Sequence, residues 1–301
     1  MSNIDVNNVA PRHTAAWLSP LPVFFVFLWS TGFIVAKFGL PYAPPLTFLL
    51  LRCVLVLLLL LPWVVLARAP WPSGNIGHLA VAGVLLQAGY LGGVWCAIKL
   101  GMPAGLSALI VGLQPILTAA AAPLIGESVK PRQWLGLALG LAGVGLVVYS
   151  KINLSGLSPL AIGFCLLALL SITAGTMYQR HFCPRFDLRT GTAVQFAATV
   201  AVLLPLAVLF EDLGPGIATV KWTPEFVGSL LWSSLALSIG AIFLLFKLLS
   251  RNEATSVTSL LYLTPPTTAL MAWAVFGEAL GLAGVAGMMV AVLGVICVVK
   301  K

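Results

Sequence analysis

The sequence predicts an all-α integral membrane protein of ten transmembrane helices, arranged as two inverted repeats of five. Three observations carry that reading: an apolar composition, hydrophobic runs of membrane-spanning length, and a block from proline to Gly-Glu that occurs twice. Of the 301 residues, 60% are hydrophobic and 8% charged, with a mean hydropathy of +1.07, against roughly 25% charged in an ordinary soluble domain. The formal charge of +8 does not point to nucleic acid, because the basic residues stand singly between apolar runs and form no stripe. Residues 1–17 are polar and lack the n-region, h-region and cleavage site of a signal peptide, so they read as a cytosolic tail.

A span needs about 20 mostly apolar residues. Runs of that length, bounded by charge, Pro or Gly, fall at 18–38, 46–66, 76–98, 104–125, 132–149, 158–180, 190–210, 225–247, 254–276 and 279–299. Only Gly277 and Glu278 part the last two, which leaves one long hairpin, and hence nine spans, open. With the N-terminus inside, eleven of the sixteen Lys and Arg residues fall on the cytosolic side, the asymmetry that sets orientation. Lys37, Lys99, Lys151 and Lys221 fall on the other side, and Arg52 lies within a span. All eight acidic residues lie outside the spans or at their ends, so a mid-membrane carboxylate proton relay is missing.

Sliding residues 102–150 onto 253–301 without a gap gives ten identities in 49 positions: Leu109/Leu260, Pro115/Pro266, Ala121/Ala272, Gly126/Gly277, Glu127/Glu278, Gly136/Gly287, Gly143/Gly294, Val144/Val295, Val147/Val298 and Val148/Val299. Chance explains the Val and Leu matches; the Gly, Pro and Glu matches point to duplication. This divides the chain into a first repeat at 18–150 and a second at 151–301. Five spans per repeat is an odd number, so the copies are inverted, an architecture typical of secondary transporters.

Pro115 lies near the centre of the fourth span, Pro265 and Pro266 near that of the ninth. Proline lacks an N–H, so the carbonyls of Val111, Leu261 and Tyr262 lose their helical partner, beside Gln114, Thr118, Thr264, Thr267 and Thr268. Broken helices at corresponding positions of two halves mark a binding site; the competing explanation is a packing kink healed by Ser and Thr. Further candidates for lining a site are the intramembrane Trp29, Gln87, Tyr90, Trp95, Tyr178, Gln179 and Tyr262, each of which packing also explains. Trp232 and Trp273 belong to the same intramembrane aromatic set.

Glu127 and Glu278 read as caps of the helices that follow them, with gating second. Arg52 reads as snorkelling outward, with anion binding as the alternative. Lys37 and Lys99 either guard an exit or anchor the interface. Gly136-x3-Gly140 and Gly287-x3-Ala291 are small-residue faces suited to close packing within the bundle or to a weak dimer, so the expected state is a monomer or weak homodimer. The five cysteines form no disulfide framework, His13, His78 and His181 no metal pair, and no phosphate loop is present; neither metal nor cofactor is expected.

Trp29, Lys37, Pro44-Pro45 and Arg52, then Pro115, Gly126-Glu127, Pro266 and Gly277-Glu278, together resemble the EamA family of the drug/metabolite transporter superfamily. The resemblance implies ten helices in two inverted EamA repeats, both termini cytosolic, in the bacterial inner membrane, and a cavity opened alternately to either side. It further implies export of small metabolites, and the chain is most similar to amino-acid exporters of the aromatic amino-acid type. The sixth span departs from the pattern: Ser171 to Arg180, SITAGTMYQR, has neither the Trp nor the Lys of the first. The partners expected are a small-molecule substrate and the lipid bilayer. Multidrug or lipophilic-cation export is the alternative, with a non-transporting scaffold behind it and an intramembrane enzyme least supported, since no buried base, nucleophile or metal cluster stands in the spans.

Overall fold

A computed structural model describes residues 20–72, 74–121, 131–155, 157–184, 186–211, 220–240, 244, 263–278 and 281–299, and all the regular elements among them are helical. In chain order these are α1 (Pro20–Gly39), α2 (Pro45–Leu66), α3 (Ile76–Lys99), α4 (Ala104–Val111), α5 (Gln114–Ala121), α6 (Pro131–Ser155), α7 (Pro159–Phe182), α8 (Leu188–Phe210), α9 (Pro224–Leu231), α10 (Thr264–Phe276) and α11 (Leu282–Val299). Prolines stand in the first turn of α2, α7, α9 and α10, where a missing N–H costs nothing. Ser158, Asp187 and Thr223 accept backbone N–H bonds at the starts of α7, α8 and α9.

Four helices are long and apolar enough to cross a bilayer: Pro45–Leu66, Ile76–Lys99, Pro159–Phe182 and Leu188–Phe210. Shorter apolar helices accompany them at Phe24–Gly39, Ala104–Thr118, Trp134–Val147 and Leu282–Gly294. Leu58, Val65, Leu209, Phe210, Leu270 and Trp273 stand exposed on the outside, an apolar exterior that lipid covers and water would not tolerate at this density. The chain is a multi-pass membrane protein.

Several spans differ from their sequence-based form. The fourth is broken into α4 and α5 by a turn at Gly112–Leu113, so Pro115 opens a helix instead of kinking one. Pro265 and Pro266 likewise sit in the first turn of α10. The third is wound as a π-helix over Val84–Gly89, and Trp232–Gly240, following α9, forms a second π segment. The ninth and tenth are separate helices: Gly277 ends α10 at φ 67°, a left-handed conformation cheap only for glycine, and the Glu278 N–H turns back to Ala272 O.

The packing partners come in mirrored pairs. α4 lies on α10, α6 on α11 and α2 on α8, while α1 touches α9 and α10 much as α7 touches α3 and α4. Two glycine pairs explain the closeness of α6 and α11. A Cβ on Gly143 would lie 2.5 Å from Gly287 O and from Ala291 N; one on Gly294 would lie 2.7 Å from Gly136 O. The sequence repeat equates Gly136 with Gly287 and Gly143 with Gly294, so exchanging the copies turns one contact into the other, and the helices run antiparallel. The small-residue faces of α6 and α11 thus pack against each other within the bundle.

α2 and α8 show the same relation. Their buried positions coincide one for one at a constant offset, Thr47 with Thr190, Arg52 with Gln195, Val56 with Thr199, Leu60 with Leu203 and Val64 with Ala207, and Pro62 matches Pro205. The apolar core beside them centres on Phe48, whose ring meets Trp95 at 4.5 Å and Phe226 at 4.9 Å.

Candidate functional site

Arg52 stands on the face of α2 turned toward the bundle. Its side chain does not snorkel; it is 5% exposed and points across the protein, because neighbouring helices supply acceptors that lipid cannot. Nε donates to Ser233 O at 3.2 Å, Nη2 to Ser238 Oγ at 2.8 Å and Nη1 to Gln87 Oε1 at 3.4 Å, the last a weak bond. The guanidinium also lies 5.8 Å from the Phe196 ring. Gln87 belongs to the first π segment, Ser233 and Ser238 to the second. The slide that pairs Pro115 with Pro266 also pairs Gln87 with Ser238 and Gly89 with Gly240, so Arg52 bridges equivalent points of the two copies. π turns leave backbone groups off the regular ladder and concentrate at functional positions; Ser233 O here accepts from both Arg52 and Ser238 Oγ.

The counterpart of Arg52 is Gln195, whose Nε2 donates to Gln179 Oε1 at 3.0 Å, and Thr199 Oγ1 donates to Gly83 O at the edge of the first π segment. Gln195, Ser233 and Ser238 were missed on reading the sequence. Gln195 had a usable signal, an amide in the middle of an apolar run; the serines had none, since a membrane helix hides single hydroxyls by bonding them to its own carbonyls.

The proline breaks meet. A Cβ on Gly112, at the α4–α5 turn, would lie 2.8 Å from the Pro265 ring, and one on Gly105 would lie 3.1 Å from the Ala269 backbone, so glycines let α4 and α10 cross where each is interrupted. Beside the break, Gln114 Nε2 donates to Thr176 Oγ1 at 2.9 Å, and Pro115 and Pro266 are half-buried. Thr264 Oγ1, Thr268 Oγ1 and Ser234 Oγ are buried with no hydrogen-bond partner among the described residues.

The aromatic candidates disperse. Trp95 and Tyr90 are buried in the packed core, where the Trp95 ring packs against Phe48. Trp29 stacks on Phe25, while Trp232 Nε1 donates to Thr31 Oγ1. Tyr178 OH bonds His78 Nδ1 at 2.8 Å, and His78 stacks on Phe182 at 4.7 Å, tying α3 to α7 near the α2–α3 connection. Tyr262 and Glu127, with the Leu261 and Tyr262 carbonyls, lie outside the described residues.

At the opposite end of the bundle, Glu278 does not cap α11. It forms an ion pair with Lys37 of α1 and accepts the N–H of Ala104 at 3.2 Å, capping α4. One carboxylate therefore joins the ends of α1, α4 and α10. Lys99 Nζ donates to Leu40 O at 2.7 Å, serving the carbonyl end of α1. Glu211, overlooked in the sequence, caps α2 through the N–H groups of Leu46 and Thr47 and the Thr47 hydroxyl. Near the other end Asp187 caps α8 and pairs with Arg189; that hydrogen bond holds its carboxyl below the usual carboxylate range.

Two buried polar clusters, around Arg52 and around Gln195, thus stand at equivalent points of α2 and α8. Residues 20–149 and again 159–300 match the EamA-like transporter family. The chain belongs to that family. The uncharacterized transporter YvbV of Bacillus subtilis is 27% identical over 93% of this chain and 90% of its own length. The uncharacterized inner membrane transporter YedA of Escherichia coli is 28% identical over 86% of this chain and 85% of its own. A protein named a probable amino-acid metabolite efflux pump in Salmonella typhimurium is 26% identical over 86% and 87%. A solved crystal structure superposes with a TM-score of 0.63 at 20% identity, over 92% of this chain and 94% of that one, a likeness of fold alone. Names in the EamA-like family point to transport and not to catalysis.

Proposed function

We propose that this EamA-like transporter exports small metabolites, amino acids among them, across the bacterial inner membrane by alternating access. The observation that carries the reading is the meeting of the two proline breaks at Gly112 and Pro265, beside buried hydroxyls at Thr264 and Thr268 that have no partner among the described residues. Hydroxyls and carbonyls left open at a helix break can accept an ammonium group. On this reading ten spans form two inverted halves, 18–150 and 151–301, with both termini cytosolic. The mirrored helix pairs and the antiparallel α6–α11 contact support the inversion; the charge asymmetry of the sequence supports the orientation.

That orientation puts the Lys37–Glu278–Ala104 cluster at the outer face. There it ties α1, α4 and α10 together, and we assign it as the outer gate. A lipophilic-cation exporter is disfavoured, since the buried charge at the centre is the cation Arg52 and the spans hold no carboxylate.

Counterflow of labelled amino acids in proteoliposomes tests the reading. Replacing Pro115 and Pro266 by alanine restores N–H groups that let the helices run straight, and we expect counterflow to fall at least about tenfold with the melting temperature unchanged or higher. Unchanged counterflow would remove the breaks from the site.

A further inference from the structure

We propose that Arg52 binds the anionic end of the transported solute, a carboxylate, and so restricts the substrates to carboxylate-bearing metabolites; this rests on the exporter reading above. Among the described residues the charge of Arg52 has no counter-ion. Every partner it has among the described residues is neutral: a carbonyl, a hydroxyl, an amide oxygen and an aromatic face. The sequence puts all eight acidic residues outside the predicted spans or at their ends, and no carboxylate of the described residues pairs with Arg52. A buried cation is costly unless it is paired, and the carboxylate of a bound solute would supply the pairing anion.

The matching half supplies an internal control. Gln195 occupies the same buried position on α8 and ties its helix to α7 through Gln179 with a neutral amide. Joining helices at this position therefore needs no charge, and the charge at position 52 has a further purpose. Guanidinium carries five N–H donors in a planar fork. Three bonds engage it, the one to Gln87 stretched to 3.4 Å, so donor capacity remains for a carboxylate. The next residue after its carbonyl acceptor, Ser234, keeps a buried hydroxyl with no partner among the described residues. The acceptors lie on π turns, which concentrate at functional positions.

The test compares each amino acid with its own α-carboxamide, by thermal stabilisation of the purified protein and by inhibition of counterflow. We expect the wild-type protein to favour the acid by at least about tenfold, since charge-assisted bidentate bonds are lost in the amide. Arg52→Gln, which copies the residue of the other half, should bring acid and amide within about twofold of each other, and Arg52→Lys should keep part of the preference. Equal affinity of wild type for acid and amide would overturn the proposal, and so would an Arg52→Gln variant that kept the full preference. Should that variant not fold, the wild-type comparison decides alone. Counterflow of amides and acids alike would sink the carboxylate role while sparing the exporter; no counterflow of either would sink both.

Discussion

Asp187 illustrates how much a single side chain at a helix end can do. It accepts the N–H of Arg189 and holds the Arg189 guanidinium with the same carboxylate, in front of a helix that carries Gln195. Asp187→Ala should cost about 1 kcal/mol, the usual worth of an N-cap. Because its carboxyl is held below the ordinary range, chiefly by the Arg189 bond, that stability is present above the unfolded-state pKa and is lost as pH falls through the lower folded-state value. Melting curves of wild type and Asp187→Ala should therefore converge in acid and stay apart at neutral pH; a gap independent of pH would mean that the charge contributes nothing. Arg52 shows the limit of reading residues one at a time. From sequence its depth suggests snorkelling, since an isolated arginine in lipid must reach water. The serines and glutamine that keep it inside come from elements far along the chain, and no local pattern announces them.

At the scale of elements, spacing rules identify the helices well and their interruptions poorly. Prolines 115, 265 and 266 mark where the fourth and ninth spans break, but the break itself is a helix end followed by a helix start, because proline is cheap in a first turn and costly in an interior. The π turns had no signature beyond Gly89 and Gly240. The glycines of α6 and α11 were legible as close-packing faces, and the structure assigns each a partner. Gly143→Val would press side-chain carbons onto the α11 backbone, which cannot yield as a flexible side chain would. We expect a loss of about 3 kcal/mol, at the upper end for overpacking, read as a lower melting temperature. A small exposed alternative, Gly145→Ala, where a Cβ meets nothing within 4 Å, should leave the melting temperature unchanged or slightly raised. Equal effects at the two positions would contradict the assignment of the contact.

For the whole molecule, symmetry turns local contacts into a mechanism. The Lys37–Glu278 pair is partly shielded, with side chains 33% and 13% exposed, so it is worth about 1 kcal/mol, enough to shift two states about fivefold. With Glu278→Gln, distances between spin labels at Leu100 and Leu282 should gain a longer population. Exchanging the charges, Lys37→Glu with Glu278→Lys, should reverse part of that gain, since the ion pair returns and the Ala104 contact does not; an unaltered distribution in Glu278→Gln would end the gate assignment. The sequence alone determined that the chain lives in a membrane, where its four long apolar helices lie, and that a block of it is duplicated. Those properties follow from local hydrophobicity and from residue identities at a fixed spacing, both of which a linear string records. Only the tertiary structure decided that Arg52 turns inward, that Glu278 caps a distant helix, that Trp95 belongs to the core and that Gln195 answers Arg52. Each of these depends on which helices become neighbours, and that is fixed by close packing and by the need to satisfy every buried polar group, across separations that no sequence window spans.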